Sequence, residues 1–292
     1  MKYRDRNGNE FEDTTSQDKL LDTIYAHAPT RAAVKLMGAP FVSKIGRKVL
    51  DSDVSTVFID SFADKNGIDL FDYEETKYSS FNDFFTRRIK SSRRLINGDE
   101  SVLVCPSDGK VSAYEITPSS TFVIKNSVYT VGSLLRDKKL SERFAGGNAI
   151  VIRLTPDDYH RYIYPCTGIK SHNRVINGVL QTVNPVALHH TPVFKENARE
   201  YCMIRSEQFG DVIMMEVGAL FVGKITNHNP EGRVKVTKGE EKGYFEFGGS
   251  TIVLLTQKGK VTIDDDLLQN TREGFETKLL QGMQIGIRTI SE

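Results

Sequence analysis

The hydrophobic pattern of this chain changes period near residue 100, and that change limits what it can fold into. Before it, apolar residues recur at helical spacing. Leu20, Leu21, Ile24 and Tyr25 share one helical face, and Pro29 ends or kinks that segment. Phe41, Val42, Ile45 and Val49 share a second face. Val54, Val57, Phe58 and Phe62 share a third, with Gly67 placed as its C-cap. Ser79 or Ser80 is positioned to cap a short helix carrying Phe81, Phe84, Phe85 and Arg88. After residue 100, short β-rich runs such as Ala149–Leu154, Val212–Val217 and Thr251–Thr256 are separated by Gly, Asn, Asp and Pro clusters. One helical interlude, Val131–Phe144, offers Leu134, Leu135 and Leu140 to a core. The pattern predicts an α+β protein. A helical N-terminal region over residues 1–95 precedes a mainly antiparallel β domain over residues 96–292.

Length and composition narrow the function. The 292 residues suffice for a large domain with an appendage. A formal net charge of +1 gives no global attraction to nucleic acid, so any basic surface is local. Cys105, Cys166 and Cys202 are odd in number and lack a C-x-x-C pattern. They predict neither a disulfide framework nor a structural zinc site, and they suit a reducing compartment. The stretch Met1–Gln17 has no apolar core of a signal peptide, and no run of 18 apolar residues occurs, so membrane contact is expected to be peripheral. Residues 31–48 carry Arg31, Lys35, Lys44, Arg47 and Lys48 and no acid, interleaved with Val34, Leu36, Met37, Phe41 and Ile45. Such a segment either lies on an anionic lipid surface or packs its apolar face on the core and solvates its lysines.

Three short segments hold residues able to do chemistry. In Gly248-Gly249-Ser250-Thr251, two glycines abut a serine at the mouth of an apolar strand. A backbone free to adopt strained geometry lets the Ser250 hydroxyl attack the carbonyl before it, giving an ester by N→O acyl shift. Elimination of that ester leaves dehydroalanine, which hydrolyses to a pyruvoyl group. The same residues also fit a glycine bulge entering a strand. In Thr155-Pro156-Asp157-Asp158-Tyr159-His160-Arg161, a turn follows a strand and puts His160 where a general base is often found, or where a structural histidine would sit. In Pro106-Ser107-Asp108-Gly109-Lys110, Asp108 either forms an Asx turn or orients a histidine.

Taken together and in order, these segments resemble the phosphatidylserine decarboxylase family. The resemblance also rests on Phe81-Asn82-Asp83-Phe84-Phe85-Thr86-Arg87-Arg88, on the Phe122–Lys125 segment with Tyr129 and Leu134-Leu135, and on Val217-Gly218-Ala219 with Val222-Gly223-Lys224-Ile225. Lys238-Gly239-Glu240-Glu241-Lys242-Gly243-Tyr244-Phe245 completes it, so that it spans about residue 70 to the C-terminus. It implies self-cleavage between Gly249 and Ser250, with Ser250 becoming the pyruvoyl cofactor and Asp108–His160–Ser250 acting as a triad. It further implies decarboxylation of phosphatidylserine to phosphatidylethanolamine through a pyruvoyl Schiff base, with no metal. The two fragments would stay associated, a homodimer is an admissible assembly, and the enzyme would be cytoplasmic and peripherally membrane-bound.

The chain departs from the family at one place. Many members carry a second histidine three residues after the first, and here that position is Ile163. The resemblance therefore leaves the cleavage base open. Either His160 serves both steps, or another histidine, His189 or His190, substitutes, or maturation is slow. The same chemistry on a free amino acid, and an uncleaved inactive lipid-binding homologue, are the alternatives at this point.

Overall fold

The structure, a computed structural model, describes residues 1–12, 48–75, 77–124, 127–180, 195–218, 224–247 and 250–290. The helical faces expected over Leu20–Tyr25 and Phe41–Ile45, the residues Gly249, His189 and His190, and nearly all of the basic segment lie outside these.

An eleven-stranded sheet dominates the molecule. Its centre runs Arg199–Ser206, Gly210–Val217, Ser250–Thr256, Asn148–Leu154, Gly109–Glu115, Glu276–Leu279, each strand antiparallel to the next. The central strands read as continuous apolar runs because both faces are covered. Ile150, Ile152, Met214, Ile252 and Leu254 point to one core. Ala149, Val151, Ile213, Met215 and Val253 point to another. The first core is closed by Tyr162 and Phe245 of a three-stranded sheet, Ile225–Asn227, Glu241–Phe245 and Arg161–Ile163. Leu134, Leu135 and Phe144 close the second. The three cysteines are buried thiols.

The fold is α+β with mainly antiparallel sheets. Some elements depart from the sequence reading in detail. Residues Lys2–Arg4 and Glu10–Glu12 form a hairpin that extends the main sheet, with Lys2–Arg4 running parallel to Glu276–Leu279. Strands of three residues show no period to read, and here the stacked rings of Tyr3 and Phe11 and the Arg4–Glu10 pair hold them. The interlude Val131–Phe144 is two helices, Val131–Leu135 and Lys138–Glu142, separated where Arg136 turns left-handed at φ 47°.

The helix Ile59–Asn66 ends on Gly67 in the left-handed conformation, as its position suggests. Its apolar face differs, however. It begins as a 3-10 turn, Asp53–Phe58, in which three residues complete a turn. That tighter winding buries Ser55 and swings Val54, Val57 and Phe58 outward, to 71%, 71% and 57% exposure. Ser55 accepts a hydrogen bond from the Phe81 amide at 2.8 Å, joining this unit to the helix Phe81–Phe85. Ser80 caps that helix by accepting from the Asp83 amide at 3.1 Å. Phe81, Phe84 and Phe85 are buried, and Arg88 lies beyond the helix end.

Candidate active site

Strand register gathers the three sequence segments at one end of the main sheet. Ser250 opens its strand directly opposite Leu154, the last residue of Asn148–Leu154. On the other side of that strand, Lys110 stands opposite Arg153, so the Asp108–Gly109 turn reaches the same end. Gly109 is required by close approach. A Cβ there would lie 2.8 Å from Ile152 Cγ2 and 2.9 Å from the Arg153 carbonyl oxygen.

His160 is buried on the turn that follows Leu154. Its Nδ1 lies 2.9 Å from the Asp158 carbonyl oxygen. A carbonyl only accepts, so Nδ1 carries the proton and Nε2 holds the lone pair. Burial, with help from the nearby Arg87 charge, pushes the imidazole pKa down to about 3. The ring is therefore neutral at physiological pH, with Nε2 ready to accept a proton.

The charged residues around it pair in a way that spacing does not reveal. Lys110, two residues past Asp108, is buried and reaches Asp158 Oδ2 at 2.9 Å and Asp157 Oδ2 at 3.2 Å. Asp158 Oδ2 also accepts from the Thr155 amide at 2.7 Å. Burial pushes the Asp158 carboxyl up to about 6 against the opposing pull of Lys110. Asp108 instead accepts from Arg94 Nε at 2.7 Å, from Arg94 Nη2, and from the Gln281 amide at 2.9 Å. The Gln281 side chain then donates to the Pro106 carbonyl at 3.2 Å and the Arg161 carbonyl at 2.9 Å. Among the described residues, no hydrogen bond joins Asp108 to His160. The two motifs are tied by Lys110–Asp158 and by Gln281. Arg94, Lys110, Asp158 and Gln281 were not singled out as site residues from the sequence. The only signal available for Lys110 and Asp158 was their place inside motifs already noticed.

The Phe81–Arg88 segment forms the wall over His160. The Phe85 ring centre lies 4.1 Å from the imidazole and 5.1 Å from Phe247. The Phe247 amide donates to Asn82 Oδ1 at 3.2 Å, and the Phe245 amide donates to the His160 carbonyl at 3.0 Å. These bonds bring the chain just before Gly248 alongside His160. Arg161 locks the wall down by donating to the Thr86 carbonyl at 2.7 Å and to Glu241 Oε1 at 2.8 Å.

The arrangement has a buried serine at a strand mouth, a neutral histidine on the turn at the same end of the sheet and an aromatic cover over that histidine, which suits nucleophilic attack shielded from water. A phosphatidylserine decarboxylase family model matches residues 81–286. The chain belongs to the phosphatidylserine decarboxylase family. A phosphatidylserine decarboxylase proenzyme 2 from Clostridium acetobutylicum is 45% identical over 245 residues, covering 84% of this chain and 83% of that protein. A phosphatidylserine decarboxylase proenzyme from Clostridium tetani is 39% identical over 297 residues and covers the whole of both chains. Another, from Ruminiclostridium cellulolyticum, is 40% identical over 273 residues, 92% of this chain and 91% of that one. At the position where many phosphatidylserine decarboxylases carry the second histidine, Ile163 is buried in a small apolar cluster with Val102 and Val104.

Proposed function

We propose that the chain is a phosphatidylserine decarboxylase that matures by cutting itself before Ser250. The observation that carries this reading, within the family membership, is the placement of Ser250 at the head of a buried strand at the sheet end that also carries the His160 turn. His160 Nε2 takes the Ser250 hydroxyl proton as Oγ attacks the Gly249 carbonyl. The Gly249–Ser250 amide bond gives way to an ester, which eliminates with Gly249 leaving as a carboxylate. Water then displaces ammonia. Asp108 acts as a positioning residue, because Arg94 and Gln281 let it hold the Pro106 turn and the Arg161 strand in register.

The site fits the pyruvoyl group. Ser250 is buried, and Leu154 and the Phe85–Phe247 pair present apolar surface at this end of the sheet. Once formed from Ser250, that group supplies an electron sink for decarboxylation of an amine-bearing substrate. His160 Nε2 is the group at this end of the sheet that would return a proton, and Phe85 and Phe247 would exclude water from it. The product is phosphatidylethanolamine.

The two fragments stay together after the cut because Ser250–Thr256 remains hydrogen-bonded between Gly210–Val217 and Asn148–Leu154. A lipid substrate calls for contact with an anionic surface. Exposed Val54, Val57, Phe58 and Phe71 supply apolar contacts on the unit that carries the aromatic wall. No helix among the described residues is long and apolar enough to cross a membrane.

Intact mass spectrometry tests maturation. Two pieces are expected, Met1–Gly249 and a 43-residue piece from position 250 to Glu292. The smaller piece should be lighter by one ammonia than a serine-ended peptide, should resist Edman degradation and should react with hydrazines. Ser250→Ala should leave one chain. A smaller piece with an ordinary serine amine would refute pyruvoyl formation.

A further inference from the structure

Arg87 is 2% exposed, yet its Nε and Nη2 have no hydrogen-bond partner among the described residues. Only Nη1 is bonded, donating to the Phe84 carbonyl at 3.3 Å. The guanidinium carbon lies 4.4 Å from the centre of the Tyr73 ring and 4.8 Å from that of Phe84. Aromatic faces attract a cation, but they leave the in-plane donors unsatisfied. Arg199, equally buried, shows what a structural arginine does here. Its Nε, Nη1 and Nη2 donate to the carbonyls of Leu134, Asn197 and Ser133. A buried cation without an anion is costly, and folds retain one where a ligand brings the counter-charge.

Nε and Nη2 form one edge of the guanidinium fork, with two parallel donors matched to two oxygens of a carboxylate or phosphate. Arg87 follows Phe85 by two residues, and the Phe85 ring touches His160. The Arg87 charge is also felt at the buried His160 ring, which places the guanidinium near the candidate base.

We propose that the Nε/Nη2 edge of Arg87 receives the phosphodiester of the serine headgroup. The proposal rests on reading the Ser250 site as a lipid decarboxylase. A serine headgroup offers two anions, and chemistry separates them. The carboxylate must surrender its bonding electrons as carbon dioxide leaves, and a guanidinium clamped on it would stabilise the ground state and slow that step. The phosphodiester is unchanged by the reaction, so binding it tightly costs nothing in turnover. It also stands only a few bonds from the amine, which brings its anchor close to position 250.

The test uses the cleaved enzyme, its two fragments verified by mass, with carbon dioxide release from a short-chain phosphatidylserine. Arg87→Met should raise KM by at least about 30-fold with kcat little changed, as loss of one partner of a buried charge pair does. Phosphoethanolamine, which has the phosphate without the carboxylate, should lose its inhibition in parallel. O-methylserine, which has the carboxylate without the phosphate, should inhibit as before. The melting temperature should hold or rise, because an uncompensated buried cation is gone. If Arg87→Met does not mature, Arg87→Lys carries the same KM and inhibition comparison, since it keeps the charge and loses the fork. An unmoved KM with a lowered melting temperature would make Arg87 a structural residue. Loss of O-methylserine inhibition instead would assign the edge to the carboxylate. Either result overturns the phosphodiester assignment alone. A wild-type chain that releases no carbon dioxide overturns the decarboxylase reading and this one with it.

Discussion

At the scale of single residues, the state of His160 matters most. Its Nδ1 is committed to a carbonyl and its ring is enclosed, so the neutral form persists to a pKa of about 3 against an ordinary 6.5. The rate of self-cleavage should accordingly show no histidine break near pH 6.5, and a break there would mean that solvent reaches the ring. The same shift affects stability. The unfolded chain takes up a proton at His160 below pH 6.5 while the folded chain does not. This residue therefore contributes nothing above 6.5 and penalises folding progressively as pH falls from 6.5 towards 3. Denaturant titrations against pH should find that loss in the wild type and a smaller one in His160→Ala. The latter should also cleave about 10²–10⁴-fold more slowly, the usual value of a positioned base.

At the scale of elements, the Lys110–Asp158 pair joins the strand Gly109–Glu115 to the turn carrying His160. Both side chains are almost fully enclosed, and removing Lys110 leaves the buried Asp158 without its cation. Lys110→Met should cost about 3–5 kcal/mol in urea unfolding. Lys110→Met combined with Asp158→Asn should cost clearly less than the sum of the single changes, as contacting partners do. Additive losses would mean that the two residues act independently. Ile163 belongs to this scale too. Its amide donates to the Pro106 carbonyl at 2.9 Å, but its side chain packs with Val102 and Val104. The chain has spent this position on packing two strands, and an imidazole here would meet methyl groups.

At the scale of the molecule, the aromatic wall and the exposed apolar residues sit on one N-terminal unit linked by Ser55 and Phe81. We propose that this unit joins the site to a lipid surface. Neutralising Lys44, Arg47 and Lys48 should weaken binding to anionic vesicles by about 1 kcal/mol per charge, with the effect fading as salt rises. Val57→Ser with Phe58→Ser should lower vesicle binding and leave self-cleavage intact, since both side chains face outward. Salt-insensitive binding in a sedimentation assay would assign the basic segment to an ordinary surface helix.

By itself, the sequence determined the α+β class and the central strands, and it marked the three segments that strand register gathers at one end of the sheet. Ala149–Leu154, Val212–Val217 and Thr251–Thr256 were legible because residues buried on both faces leave an unbroken apolar run between turn signals. Gly67 and Ser80 were legible because caps follow from local backbone geometry. What the sequence could not determine was partnership. Asp108 and His160 look like a pair in a motif, yet Asp108 bonds Arg94 and Gln281, 14 and 173 residues away, while Lys110 and Asp158 form the ion pair. Likewise, Val54, Val57 and Phe58 look like a core face, yet a 3-10 turn exposes them. Local pattern records which residues are apolar and which can titrate. Only the register of strands far apart in the chain decides which charge meets which, because that register is set by packing across the whole sheet.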